Sequence, residues 1–229
     1  MNATPDQPES LHQSAYQGKT GVIKDAVFAD KKLLHKRDDS ERTLLHWACS
    51  GGHLDLVQFL IDQGSKLDEE DDTGWTPLMI SCSTGNVPIV RLLIGLRCDV
   101  NAANVTQQRP LHYSASKNHA EITKLLLDNG ADINVRDKYG NTPLHRAASK
   151  GNTEIVTLLL SVKRIDLNAA DSEGNTPLHL AVDEKRNDEA VILVRAGAYF
   201  DKMNKEKKTP LDLAEAGLRK TLLRISENG

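Results

Sequence analysis

The chain has 229 residues, 39% of them hydrophobic, with 29 basic against 32 acidic side chains and a formal net charge of -3. That length allows one domain or two small ones, and no window of about 18 apolar residues marks a membrane span. The charge divides into 11 basic and 15 acidic residues over 1–115 and 18 and 17 over 116–229, too weak a field for nonspecific nucleic-acid binding.

Residues 1–10 are polar and lack a basic-then-apolar leader, so a soluble chain in the cytoplasm is expected, with a nuclear pool left open. The three cysteines are an odd number at no metal-like spacing, which predicts reduced thiols, no disulfide framework and no zinc site.

From there the elements recur. A degraded copy, ESLHQSAYQGK, opens at Glu9 and is followed by TLLHWACSGGH from Thr43, TPLMISCSTGN from Thr76 and RPLHYSASKNH from Arg109. TPLHRAASKGN follows from Thr142, TPLHLAVDEKR from Thr176 and TPLDLAEAGL from Thr209; the middle five start 33, 33, 33 and 34 residues apart. Seven copies result, beginning near residues 5, 38, 71, 104, 137, 171 and 204, within one domain over 9–229 preceded by a disordered tail over 1–8.

In each copy a Thr offers an N-cap oxygen, and Pro77, Pro143, Pro177 and Pro210 fill the first helical position, where a missing N–H costs nothing. The helix runs to Gly52, Gly85 or Gly151, which can close it in a left-handed conformation. A second apolar helix, such as EIVTLLL or DLVQFLI, ends at Gly64, Gly130 or Gly197. Asp38, Asp71, Asn104, Asp137, Asp171 and Asn204 then begin a turn up to the next Thr. Neither helix buries its apolar stripe alone, so the prediction is an all-α solenoid of seven stacked helix-turn-helix repeats with hairpin-like turns.

His12, His46, His112, His145 and His179 recur at one repeat position. Helix packing separates successive copies by about 8 to 10 Å, so one metal ion cannot reach two of them, and bonds to the Thr and the neighbouring turn are preferred. Cys49 and Cys82 sit at equivalent positions, beyond the Cα separation of about 7 Å that a disulfide tolerates. The acidic run Glu69, Glu70, Asp71, Asp72 lacks calcium-loop spacing and reads as a solvated hairpin or a contact for a basic partner. No P-loop, nucleophile elbow or dinucleotide fingerprint is present, so neither an enzyme nor a cofactor or metal site is expected.

Partner information belongs where copies differ: the hairpin tip just before each Thr, and four and five residues after the His, together lining a concave face. The second to fourth copies place Asp39, Arg42, Asp72, Trp75 and Lys117 there, and the fifth and sixth place Tyr139, Lys150, Glu173, Asp183 and Glu184. Trp47 and Tyr113, one residue after their histidines, extend the stripe, and Arg146 in the same slot reads as a face residue. Trp47 reads equally as face or core, and Trp75 is expected to be exposed at its tip. Charge alternates along these positions in acidic and basic blocks, a pattern that sets partner choice and register.

The 33-residue period and the Thr-Pro-Leu-His-x-Ala text resemble the ankyrin-repeat family across nearly the whole chain. Within it, RTLLHWACSGGH, DDTGWTPL, PLHYSASKN, LHRAASKGN, EGNTPLHLAVDE and KEKKTPL, in order over 42–211, resemble the gankyrin family of proteasome assembly chaperones. The resemblance implies a protein that is a monomer on its own. It would grip the C-terminal domain of a proteasomal ATPase, regulatory subunit 6B, along the concave face, without nucleic acid or membrane as partner. Arg42 and Lys117 match family residues that pair with acidic side chains of that ATPase, and Asp72 one that faces its arginines. One departure stands out. Val182 replaces the Cys of the family's retinoblastoma-binding Leu-x-Cys-x-Glu motif, so that role is not carried over. The alternative reading is an ankyrin adaptor or inhibitor in cell-cycle or transcriptional signalling.

Overall fold

The computed structural model describes residues 10–227. The expected tail over 1–8, and Glu9 at the start of the first copy, lie outside the described residues. Among the described residues every regular element is helical, and the chain divides into two compact units, one running to Val105 and one from Thr106.

The first unit holds three helix pairs: α1 (Leu11–Tyr16) with α2 (Thr20–Ala29), α3 (Leu44–Gly51) with α4 (Leu54–Asp62), and α5 (Pro77–Thr84) with α6 (Val87–Gly95). The helix starts and stops follow from single residues. Thr76 caps α5 by accepting the Met79 N–H at 3.3 Å, Pro77 takes the first helical position, and Gly85 ends the helix at φ 78°. The outer helices α4 and α6 each bury an apolar triplet at i, i+1 and i+4, Leu56, Val57 and Leu60 in one and Ile89, Val90 and Leu93 in the other. Each such side chain contributes about 1.5 to 3 kcal/mol relative to exposure. α1 stacks on α3 and α3 on α5, so the first helices form one layer and the second helices another.

All three cysteines are free and buried in this unit. Burial pushes the Cys49 and Cys98 thiols up to about 12, which keeps them protonated and unreactive at neutral pH.

The second unit continues with α7 (Pro110–Ser116) and α8 (Ala120–Asp128), α9 (Pro143–Lys150) and α10 (Thr153–Leu160), and α11 (Pro177–Asp183) and α12 (Asn187–Arg195). A single-turn α13 (Pro210–Leu213) and α14 (Ala216–Glu227) close it. Its core runs through Leu144, Ile155, Leu178, Leu193 and Leu222. Val182 belongs to this core at 4% exposure, whereas Asp183 and Glu184, which follow it, are exposed.

Two kinds of polar bond tie repeat to repeat inside each unit. In the turns, the leading carboxylate folds the backbone over itself: Asp71 Oδ1 accepts the N–H groups of Thr73 at 3.0 Å and Trp75 at 2.8 Å, and Asp137 Oδ1 those of Tyr139 and Asn141 at 2.9 Å. Each tip then donates a backbone N–H to the preceding tip: Asp72 to Ser40 and Val105 to Thr73 in the first unit, Lys138 to Thr106 and Ser172 to Tyr139 in the second.

The histidines supply the other tie. His46 Nδ1 accepts the Thr43 N–H at 3.1 Å, which leaves the proton on Nε2 to be donated to the Trp75 carbonyl at 3.1 Å. His145 and His179 repeat the arrangement, with Nε2 donating to Asn175 at 3.0 Å and Lys208 at 3.2 Å. His112 does so from Arg109 N–H to Asn141. Both ring nitrogens are therefore committed, and among the described residues no group of three or more His, Cys, Asp or Glu side chains could hold a metal ion. His12 is weaker, half-buried with Nε2 at 3.3 Å from the Lys36 carbonyl, and the third repeat carries Met79 in the slot instead.

Burial holds His46, His112 and His179 below the ordinary imidazole value and pushes His145 down to about 4. Protonation would also turn an Nδ1–H toward the backbone N–H it now accepts. Because the folded value lies below the unfolded one of about 6.5, this contribution is complete above pH 6.5 and is lost as pH falls toward about 4, on the order of 3 kcal/mol for His145 alone. Denaturation midpoints should therefore drop steeply between those two pH values. A chain as stable at pH 4.5 as at pH 7.5 would contradict the neutral ladder.

Candidate functional site

In the first unit the inner helices and tips gather an aromatic and charged cluster. Trp47 is half-buried on α3. Its indole N–H donates to Asp38 Oδ2 at 2.7 Å, its ring meets Tyr16 edge-on at 5.9 Å between centroids, and the Arg42 guanidinium lies 5.6 Å over it. The two readings of Trp47 thus combine, with the polar edge bound internally and the side chain half-buried. Tyr16, 44% exposed, was missed by the sequence reading, although counting four residues from His12 reaches it. The degraded text of the first copy hid it. Gly51 makes room here, since a Cβ at that position would run into the Tyr16 carbonyl oxygen.

Arg42 has an internal partner. Its Nε donates to Asp71 Oδ2 at 3.0 Å, and the Asp71 side chain is fully buried. Burial by itself would raise the Asp71 carboxyl, but the N–H of Trp75, the Thr73 hydroxyl and Arg42 outweigh it and hold it below the usual carboxylate range. Of the acidic run, Glu69 pairs with Arg37, Asp71 is consumed in the turn, and Glu70 and Asp72 are exposed. Asp39 is exposed at its own tip. Trp75 is half-buried, against the expected exposure. Its N–H is held by Asp71 and its carbonyl by His46, so it stands inside the locked end of the turn and not at its apex.

In the second unit Tyr113 is half-buried, with its hydroxyl donating to Gln108 Oε1 at 2.8 Å. Arg146, in the slot of Trp47, turns to Asp137 as Trp47 turns to Asp38: the residue after the histidine braces the carboxylate that opens its own repeat. Burial would raise the Asp137 carboxyl, but the bonds from Arg146 and from the Asn141 N–H outweigh it and hold it below the usual carboxylate range. Lys117, Lys150, Glu173, Asp183 and Glu184 are exposed, and Tyr139 is 55% exposed. The positions read from sequence therefore fall into two sets. Charged tips and helix ends are free to meet a partner, while Arg42, Trp47, Tyr113 and Arg146 are braced from within.

Residues 11–104 and 96–171 match a family model described as ankyrin repeats in three copies, and residues 173–205 match the single ankyrin repeat. A stretch of 56 residues, 24% of the chain, is 47% identical to the 26S proteasome non-ATPase regulatory subunit 10 of Rattus norvegicus and of Homo sapiens. That match spans about a quarter of those relatives' own length, 24% and 25%. Among solved structures, the ankyrin repeat domain of human ASB11 superposes with a TM-score of 0.85 at 24% identity, covering 95% of this chain and 97% of that one. The ankyrin repeat domain of Bcl-3, described as a unique member of the IkappaB protein family, gives 0.80 at 27% identity over 97% and 100%.

Arg42 should count in stability. Arg42→Ala leaves a buried carboxylate without its cation and should cost about 2 kcal/mol, between a surface pair and a fully buried one. Asp72→Asn at the exposed tip should stay within about 0.5 kcal/mol. Equal urea midpoints for Arg42→Ala and the unchanged chain would show that the pair carries no structural load.

Proposed function

The chain belongs to the ankyrin-repeat family, and from that premise we propose that it is an assembly chaperone of the 26S proteasome regulatory particle. On this reading it works without ATP and without catalysis, holding the C-terminal domain of one proteasomal ATPase, regulatory subunit 6B, on its hairpin tips and first helices until assembly proceeds. Its work is placed in the cytoplasm. The observation that carries the reading is the 47% identity over 56 residues to regulatory subunit 10. The exposed side chains lend support. Asp72, Lys117, Glu173, Asp183 and Glu184 offer both signs of charge to a partner, the arrangement that fixes register and speeds encounter. An ankyrin array binds this way because its repeats satisfy their own backbone and leave the variable positions unspent.

The second reading, an adaptor or inhibitor in signalling, draws on the likeness to the Bcl-3 domain over nearly the full chain. Competition separates the two, since an adaptor's target would not be displaced by the ATPase domain.

Because Arg42 also braces Asp71, a charge reversal there would blur binding with stability, whereas Lys117 is exposed and gives a clean test. At micromolar concentration the folded chain should retain the ATPase C-terminal domain in a pull-down, and Lys117→Glu with Glu184→Lys should lose it while circular dichroism stays the same. A folded chain that retains none of the domain would end the chaperone reading. Equal retention by the double variant would remove those residues from the interface.

A further inference from the structure

The residue just before α7 breaks the chain's own rule. Thr43, Thr76, Thr142, Thr176 and Thr209 occupy this slot in five of the other six repeats, the degraded first copy having Glu9, and Arg109 stands in the fourth. Where Thr142 and Thr176 offer a hydroxyl to the amide of the following histidine, Arg109 has no acceptor to offer, and the His112 N–H is left to the Arg109 backbone carbonyl. The long side chain does not repair the loss: its buried Nε has no hydrogen-bond partner among the described residues. A position that gives up a cap and leaves a buried donor unsatisfied is one where sequence and fold disagree, and such disagreements concentrate at functional sites.

The surroundings say what could satisfy it. α7 packs on α9, which carries Arg146, and the buried Nε of Arg146 is likewise without a partner. Both guanidiniums act on the His112 imidazole and oppose its protonation, so they share one neighbourhood. Lys117, Lys138 and Lys150 are exposed on the same two repeats. From 107 to 117 and from 138 to 150 the sequence has no Asp or Glu, and Asp137, just outside, is already taken by Arg146. Tyr139, 55% exposed, adds an amphipathic ring beside them.

We propose that Arg109 is a partner-recognising residue, and that with Arg146, Lys138 and Lys150 it extends the acidic contact expected of Lys117 into a site on the fourth and fifth repeats for an acidic, glutamate-rich peptide segment of a protein partner. The guanidinium fork takes a carboxylate with two parallel bonds, and the lysines extend the positive field along the segment. This deepens the protein-binding reading and rests on it, but it does not depend on which protein the partner is.

The test is the swap that restores the repeat's own text. Binding of a short fluorescein-labelled glutamate-rich peptide is followed by anisotropy at low salt, with a lysine-rich peptide of equal length as control. The full chain should bind the acidic peptide and not the basic one, and salt should weaken it. Arg109→Thr should lower that affinity by about fivefold or more while raising the thermal midpoint, and Arg109→Lys should fall between. Opposite signs in binding and stability mark a recognition residue. Arg109→Thr binding as tightly as the unchanged chain would overturn the proposal, as would a full chain that prefers the basic peptide or binds neither. Loss of ATPase-domain retention with peptide binding intact would count against the chaperone reading alone.

Discussion

A neutral imidazole with both nitrogens committed is the bond from which the rest of each unit is built. Nδ1 accepts from the residue before its own helix, and Nε2 donates to a carbonyl one repeat ahead, in His46, His112, His145 and His179 alike. A single side chain so fixes the start of a helix and the spacing to its neighbour. The leading carboxylates do the complementary job, closing each turn so that its tip can donate to the tip before it. Once these groups are spent inside the fold, those four histidines and the buried Asp71 and Asp137 have no free position to offer a ligand. What remains for a partner is the set of side chains that the scaffold does not use.

The division is not complete, and the exceptions are informative. Arg42 and Arg146 each brace a buried carboxylate while keeping about a third of the side chain exposed, 33% and 30%. A guanidinium has donors enough to hold an internal oxygen and still present an edge outward. Trp47 does the same, with its N–H bound inward and its side chain only half-buried. These residues are rigid because they are braced, and rigidity lowers the entropy that binding must overcome. Arg109 is the opposite case, a cation with its buried donor unsatisfied where five of the other six repeats have a threonine.

Period, helix starts and the structural part of the histidines were legible because each depends on neighbours a few residues apart: Thr and Pro at a helix start, Gly at its end. The partners of Arg42 and of the Nε2 atoms were not. They lie 29 or 30 residues along the chain, and only stacking brings them together. Trp75 was misjudged in part for the same reason: its carbonyl is tied to His46, 29 residues earlier, whereas the bond from its N–H to Asp71 was within local reach. Tyr16 escaped because the first copy has lost the Thr and Pro that mark the register.

Scaffold groups face inward, and on the proposed reading the tips and first helices meet the partner. Hydrogen exchange of the full chain with and without the ATPase C-terminal domain tests it directly. Added protection is expected at the tips around Asp72, Lys138 and Glu173 and at the ends of α7, α9 and α11, with the second helices α4, α6, α8 and α10 unchanged. Protection confined to those second helices would contradict it.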